Sequence, residues 1–317
     1  MKLRNALGVA VGTVGATAVA NRLLSAGGSG FEQFLPDEER AYRWRGFDVP
    51  YVEAGDPENQ DLVLLHGMNA AASNHEFHRV FEDLAADYHV MAPDFPGFGH
   101  ADRPPLLYSA SLMTSFVTDF LREESDEPIV VASSLSGSYA AAGAGDVPVR
   151  ELVLICPTDE TMGQRQWVRT LLRTPLLGQA MFNVLVSKRS LKRFHADHGY
   201  QDMANLSPDI LDYEWATAHQ PGARYAPASF VSGALDPTGS LPSVLEAVDA
   251  PITLVWGRDA EITPLSAGQA LATTADARLV VFDEAKLLPH IEHPDEFVSV
   301  VRGEYRPNSP ERAVAEN

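Results

Sequence analysis

Short apolar runs alternate with stretches of helical spacing along most of this chain. The runs predict buried strands, because they end in glycine, proline or polar residues. They lie at residues 61–67, 89–92, 129–132, 152–155, 251–257 and 278–282. Helical patterns fall between them, at Phe77 to Leu84 and Ser111 to Leu121, and residues 41–54 predict an antiparallel hairpin. Strands that alternate with helices across short loops indicate an α/β fold with a mainly parallel central sheet flanked by helices.

One long segment interrupts this alternation. Residues 158–239 carry no strong strand pattern and hold helical patterns instead. The segment is too long for a loop and small for an independent domain. We interpret it as a helical lid over the carboxyl edge of the sheet. The core then comprises residues 31–157 and 240–305, and the polar residues 306–317 form a loose tail.

Residues 1–30 form a signal-like or anchor segment. Lys2 and Arg4 precede a small, apolar run from Ala6 to Ala20, and residues 18–20 resemble a cleavage site. An uncleaved anchor and a helix that packs on the domain are the alternatives. This layout predicts membrane contact through residues 1–24, and it favours membrane association or export over a cytoplasmic location.

Composition narrows the partners. The net charge of −19 argues against nucleic acid, whose phosphates repel an acidic surface. The acidic, lysine-poor surface resembles that of proteins from salt-loving organisms, where ions screen self-repulsion. The single cysteine, Cys156, excludes an internal disulfide and a multi-cysteine metal site. The sequence gives no indication of the oligomeric state.

The stretch from Ile129 to Tyr139 carries the candidate chemistry. An apolar strand ends in small residues and leads into an alanine-rich helix. Such a turn can hold a serine on a strained backbone if the residues two before and two after it are small. Ser134 meets this condition, with Ala132 before it and Ser136 after it. Ser136 is a second candidate nucleophile, and a helix cap formed by serine is the structural alternative.

Several separated motifs, taken together, resemble the α/β-hydrolase superfamily over about residues 40–303. They are listed here in chain order: His66-Gly67, Asp94-Phe-Pro-Gly97-Phe-Gly99, Ser134-Leu-Ser-Gly137, Trp256-Gly257-Arg258-Asp259 and Glu292-His293-Pro294. The resemblance implies the α/β-hydrolase fold with a lid. It also implies a cofactor-free and metal-free serine hydrolase that cleaves an ester or related acyl bond of a small, hydrophobic substrate.

The resemblance also assigns roles to residues. Ser134 attacks the acyl carbon, and a histidine removes the proton of the Ser134 hydroxyl. Asp259 orients that histidine. The backbone N–H groups of Met68 and Leu135 form the oxyanion hole.

The pattern breaks at the catalytic histidine, because Leu287 occupies the position of the base. Three interpretations follow. His290 takes over as the base, or the chain is a catalytically degenerate ligand-binding or interaction protein, or Lys286 acts as the base after desolvation.

Overall fold

The computed structural model describes residues 32–161 and 163–306, so the predicted signal-like or anchor segment and most of the loose tail lie outside the described residues. One mixed sheet of eight strands forms the centre of the described chain. Its strands are β1 (Glu38–Trp44), β2 (Phe47–Ala54), β3 (Asp61–Leu65), β4 (His89–Pro93), β5 (Ile129–Ser133), β6 (Glu151–Ile155), β7 (Ile252–Gly257) and β8 (Arg278–Phe282).

The strand order in the sheet is β1-β2-β4-β3-β5-β6-β7-β8. β2 pairs antiparallel with β1 and with β4, and every pair from β4 to β8 is parallel. The predicted mainly parallel sheet and its first hairpin are therefore confirmed. The carboxyl ends of β3 to β8 meet at one edge, here called the carboxyl edge, and β5 lies between β3 and β6.

Helices cover both faces of the sheet. They are α1 (Phe81–Ala85), α2 (Ala110–Glu124), α3 (Ser136–Ala144), α4 (Gln166–Arg173), α5 (Leu177–Leu185), α6 (Lys188–Phe194), α7 (Pro208–Ala218), α8 (Tyr225–Phe230), α9 (Leu241–Leu245), α10 (Leu265–Thr274), α11 (Pro289–Glu292) and α12 (Pro294–Val301). Alternate residues of the strands face opposite sides, as the pleat requires. Val130 of β5 belongs to the core cluster that includes Phe116 of α2, whereas Val131 shares a cluster with Phe297 of α12.

The helix expected from Phe77 to Leu84 is divided in the structure. Phe77 ends a 3₁₀ turn (Asn74–Phe77), and α1 begins only at Phe81. Phe77, Phe81 and Leu84 are nevertheless fully buried. The apolar spacing predicted the buried face correctly, but the chain reaches it through two short elements, a 3₁₀ turn capped by Ser73 and the helix α1.

Helices α4 to α8 lie in the segment between β6 and β7, and we call residues 158–239 the insert. A π-helical turn (His195–Gly199) and a 3₁₀ turn (Met203–Asn205) complete its secondary structure among the described residues. No helix in the described ranges is long and apolar enough to cross a bilayer.

Candidate active site

Ser134 stands at the turn between the central strand β5 and helix α3. Its φ of 55° lies in the left-handed region, which a non-glycine residue adopts only when its surroundings impose it. The Ser134 N–H donates to the carbonyl of Ile155 at 2.8 Å, and its own carbonyl accepts from Gly137 at 3.0 Å. The backbone is thus fixed on both sides of a half-buried serine.

Contacts at the turn explain why its neighbours are small. The hydroxyl of Ser136 donates to the carbonyl of His66 at 2.6 Å, which ties α3 to the loop after β3. A Cβ at Gly137 would lie 2.9 Å from Pro157 Cβ, closer than real Cβ atoms approach. Ser136 is fully buried with its hydroxyl engaged, so Ser134 is the better placed of the two candidate nucleophiles.

The loop after β3 lies directly beside Ser134. A Cβ built on Gly67 would be 3.5 Å from Ser134 Cβ and 3.3 Å from Glu76 Oε2. In the described part of the chain, the N–H groups of Met68 and Leu135 donate to no protein acceptor. Two amides next to the serine are therefore available to a negatively charged oxygen.

The region around Leu287 is apolar. Leu287 packs against a cluster of Cys156, Trp256 and Ala260. Asp259, the predicted acid, is exposed, and its N–H donates to the carbonyl of Ala285 at 2.9 Å. Of the two neighbours Asp259 and Ala260, only Ala260 is buried in this cluster with Leu287.

His290, the predicted base, lies in helix α11 with its ring completely buried. The ring is flanked by Phe77 and Phe297, each with its centroid 5.6 Å away. Its Nε2 is 3.5 Å from Glu76 Oε1. The other oxygen of Glu76 accepts from the N–H of Gly67 at 2.7 Å. The structure therefore brings His290 to Glu76, and Glu76 to the loop beside Ser134.

Burial disfavours the charged form of both members of this pair. Burial lowers the pKa of His290 to about 3, and the nearby His78 lowers it further. Burial also raises the pKa of Glu76, although hydrogen bonds from Ser133 and Gly67 oppose the shift. A neutral imidazole can accept a proton, but this one is a weak base in its present surroundings.

A second buried network connects the insert to the core. Glu214 of α7 lies 2.8 Å from His195 Nε2 and 3.5 Å from His75 Nε2, and His75 Nδ1 lies 2.7 Å from Ser73 Oγ. Tyr200 stacks on His195 with ring centroids 4.9 Å apart. Burial alone would raise the pKa of Glu214, but His195 and His75 outweigh it and lower the pKa to about 2. This carboxylate is charged and holds the insert against the loop after β3.

The other sequence candidates have different partners. Lys286 Nζ donates to the carbonyl of Ala196, a residue of the insert, at 2.8 Å. His195 and His198 are three residues apart, a spacing that could bind a metal. His195 is buried against Glu214. Among the described residues, no group of three His, Cys, Asp or Glu side chains is arranged to hold a metal ion.

We call the turn at Ser134, between β5 and α3, the elbow. A cavity of about 610 Å³ lies beside α3, next to the elbow rather than over it. Ser138 and Ala142 of α3 line it, together with Ser232 and Asp236 near the end of the insert. Ser134 is not among its lining residues. We therefore assign the candidate chemistry to the elbow rather than to this cavity, because strain and unpaired amides occur at the elbow.

Sequence reasoning missed Glu76, Glu214 and Ala260. Glu76 lies in the 3₁₀ turn just ahead of a buried apolar face, where a charged residue is unusual, and that contrast was the available signal. Glu214 lies on a helix far from the strands in sequence, and no motif marks it. Ala260 follows the predicted acid by one residue, and only packing shows which of the two faces Leu287.

Comparison with known proteins gives one family match. The sequence profile described as "Alpha/beta hydrolase family" matches residues 62–300. The chain is 22% identical to a 2-hydroxy-6-oxo-6-(2'-aminophenyl)hexa-2,4-dienoic acid hydrolase of Metapseudomonas resinovorans, covering 84% of this chain and 92% of that protein. It is 29% identical to a pimeloyl-[acyl-carrier protein] methyl ester esterase of Nitrosomonas europaea, covering 75% and 93%.

Among solved structures, a serine hydrolase involved in carbazole degradation superposes with a TM-score of 0.69. The two share 18% identity, and the match covers 85% of this chain and 98% of that one. At this identity the likeness establishes the fold alone.

The burial of His290 predicts a pH dependence of stability. Its pKa is about 3 in the folded chain and 6.5 ordinarily. Below pH 6.5 the unfolded chain binds a proton that the folded chain refuses, so stability falls as the pH drops from 6.5 toward 3. This one group contributes a slope of at most about 1.4 kcal/mol per pH unit. We expect His290→Leu to flatten the profile measured by denaturant unfolding between these pH values.

His293→Leu is the matched control, because it removes a half-buried imidazole from the same segment. It should keep the slope of the parent. Equal slopes for the parent and His290→Leu would contradict the burial argument.

The buried contacts of Glu214 lead to a prediction about how strongly the insert is attached to the core. Glu214→Gln removes the charge that His195 and His75 surround, and breaking such a buried pair costs about 3 kcal/mol or more. We expect a lower unfolding midpoint and faster tryptic cleavage within the insert. Asp212→Asn, on the same helix, breaks only the exposed pair with Lys188. That control should cost less than about 1 kcal/mol, and an equal loss in both variants would refute the anchoring role.

Proposed function

The chain belongs to the alpha/beta hydrolase family, and from that membership we propose that it is a serine hydrolase acting on an ester or related acyl bond of a small, hydrophobic substrate. Two of its relatives are named as hydrolases, one of a dienoic acid and one of a methyl ester. These names support hydrolysis as the reaction type.

The backbone of Ser134 is the observation that carries the proposal. A serine in the left-handed region costs about 1 to 3 kcal/mol, and such strain persists where the surroundings over-determine it. At this turn the strain presents a half-buried hydroxyl beside two unpaired amides. A serine that only capped a helix would adopt an extended backbone, as Ser109 does at the start of α2.

The proposed reaction has two stages. Ser134 Oγ attacks the acyl carbon while a base takes its proton, and the oxyanion accepts hydrogen bonds from the N–H groups of Met68 and Leu135. The base returns the proton to the leaving alcohol as the acyl-enzyme forms. Water then attacks the acyl-enzyme, gives a proton to the same base and releases the acid. Ser134 regains its proton.

We propose His290 as the base, with Glu76 in the orienting role expected of Asp259. Glu76 Oε1 faces His290 at 3.5 Å, while Oε2 lies on the loop beside Ser134. The imidazole contacts Glu76 and two phenylalanine rings, so proton transfer requires it to act through Glu76 or to move toward Ser134. Lys286 is the weaker candidate, because its amine binds a carbonyl of the insert.

In this proposal the insert acts as a lid. Its apolar cluster, which includes Leu172, Phe182 and Ala223, packs on Ala71 of the loop that carries the Met68 amide. A substrate that enters beneath this cluster meets apolar surface, which favours a hydrophobic molecule.

A second candidate function is ligand binding without turnover on the same fold. The observation that favours it is the packing of Leu287 with Ala260 and Trp256, where the family places its base. Asp259 is exposed and so does not face that position from within the cluster.

Labelling with a fluorophosphonate probe tests the first candidate. We expect the parent to be labelled, Ser134→Ala to show no labelling, and His290→Gln to react on the order of 100-fold more slowly because the base is lost. Ser136→Ala is the matched control and should remain reactive. The measurement runs from low to molar salt, with folding checked by circular dichroism. A folded parent that resists the probe at every salt concentration would refute the serine hydrolase.

The second candidate predicts the reverse pattern. The parent then binds an apolar ester, measured by calorimetry, without cleaving it or reacting with the probe. The double variant Leu287→His with Ala260→Asp places an imidazole and a carboxylate at two positions that share one cluster, and it should gain probe reactivity. Leu287→His alone is the control that tests whether the new carboxylate is needed. Rapid labelling of the parent would exclude this second candidate.

A further inference from the structure

The insert exposes an unusual number of large apolar side chains. Six of them lie between Trp167 and Phe194, and we call this set the insert face. Its members are Trp167, Leu177, Met181, Val184, Leu185 and Phe194. Trp167 is 68% exposed and Val184 is 63% exposed. The four members on α5 have the spacing of one helical face, so they form a continuous apolar strip. Such a strip on a water-facing helix indicates a binding surface.

Charge around the insert face is opposite to that of the rest of the chain. Residues 161–196 contain seven Lys or Arg and no Asp or Glu. The chain carries −19 in total, so the remainder carries −26 (−19 minus +7). Lys188 pairs with Asp212, and Arg193 pairs with Asp197 at 3.3 Å. Arg189 and Lys192 are exposed, and neither has an ion-pair partner among the described residues.

The combination of these two properties identifies the partner. We propose that the insert face binds the surface of anionic lipid bilayers. Aromatic and aliphatic side chains enter the headgroup region of a bilayer, while neighbouring lysines and arginines contact its phosphates. The acidic remainder is repelled by the same surface, so the field turns residues 161–196 toward the lipid.

Other partners fit less well. A nucleic acid offers phosphates, but it gives no apolar environment for the α5 strip. Two copies joined through the same face would bring two sets of basic residues, including Arg189 and Lys192, against each other. Elsewhere the described chain exposes three large apolar side chains, Leu106, Leu107 and Ile262, too few to match the insert face on a second copy.

Vesicle sedimentation of the full chain tests the proposal. Phosphatidylcholine vesicles are compared with vesicles that also contain phosphatidylglycerol, from the lowest salt at which the chain stays folded up to 1 M. We expect binding to the anionic vesicles that weakens with salt. Arg189→Gln with Lys192→Gln should lower the partition coefficient by about tenfold or more, because each basic residue near an anionic surface contributes roughly a fivefold gain.

Trp167→Ser with Val184→Ser should weaken binding by a similar factor while leaving the charge unchanged. The matched control is Arg122→Gln with Arg150→Gln, which removes two exposed positive charges near the amino ends of the strands. The control should bind within about twofold of the parent, because salt screens charges that lie at a distance from the membrane surface.

Three results would overturn the proposal. Equal binding to neutral and anionic vesicles would remove the electrostatic part. Parental binding by both insert variants would assign membrane contact to another segment, such as residues 1–24. Self-association that both variants abolish, without vesicle binding by the parent, would assign the face to a second copy. Binding is measured without turnover, so failure of the hydrolase proposal would leave this test intact.

Discussion

The left-handed turn at Ser134 is the constraint on which the candidate site depends. The backbone can reverse from β5 into α3 there only because small residues flank it. Ser136 turns inward to the carbonyl of His66, and the hydrogen at Gly137 leaves room for Pro157. Both contacts are made across strands β3, β5 and β6, so the pairing of the central strands fixes the position of the serine. A larger side chain at either position would separate the elbow from the loops that surround it.

The ionisable side chains around the elbow are not those expected from the order of the motifs along the chain. The position of the usual base is apolar, and Leu287 packs where an imidazole would have needed a partner. Ionisable side chains are concentrated instead on the side of the loop after β3, where Glu76 meets His290 and Glu214 meets His75 and His195. Burial opposes ionisation of both members of the first pair. In the second group, His195 and His75 lower the pKa of the Glu214 carboxyl, which favours its ionised form.

We propose two tasks for the insert, attachment to the core and contact with a membrane surface. The insert is fixed to the core by the contact between Glu214 and His75 and by apolar contacts with Ala71. It also carries the insert face and the basic residues of the segment 161–196. A strongly acidic surface remains soluble and is repelled by anionic membranes. In the membrane proposal, a basic apolar patch on one segment would overcome that repulsion locally and orient the molecule.

The sequence by itself determined the architecture and the nucleophile candidate. Strand runs, helical spacing and glycine-bounded turns are local signals, and they placed the sheet, the hairpin and the Ser134 elbow. The sequence also determined the lack of a histidine at Leu287. Local signals failed between Phe77 and Leu84, where the apolar face was right and the continuous helix was wrong, because a 3₁₀ turn ends at Phe77 and α1 begins only at Phe81.

Only the tertiary structure decided which side chains meet. Glu76 and His290 are separated by more than two hundred residues, and their contact follows from the pairing of strands rather than from any motif. Asp259 and Ala260 are adjacent in sequence, yet packing buries the alanine with Leu287 and exposes the aspartate. Whether a group is charged depends on this burial, which no spacing encodes. The sequence therefore determined the elements and the elbow, and the fold determined the partners and the charge of the groups around it.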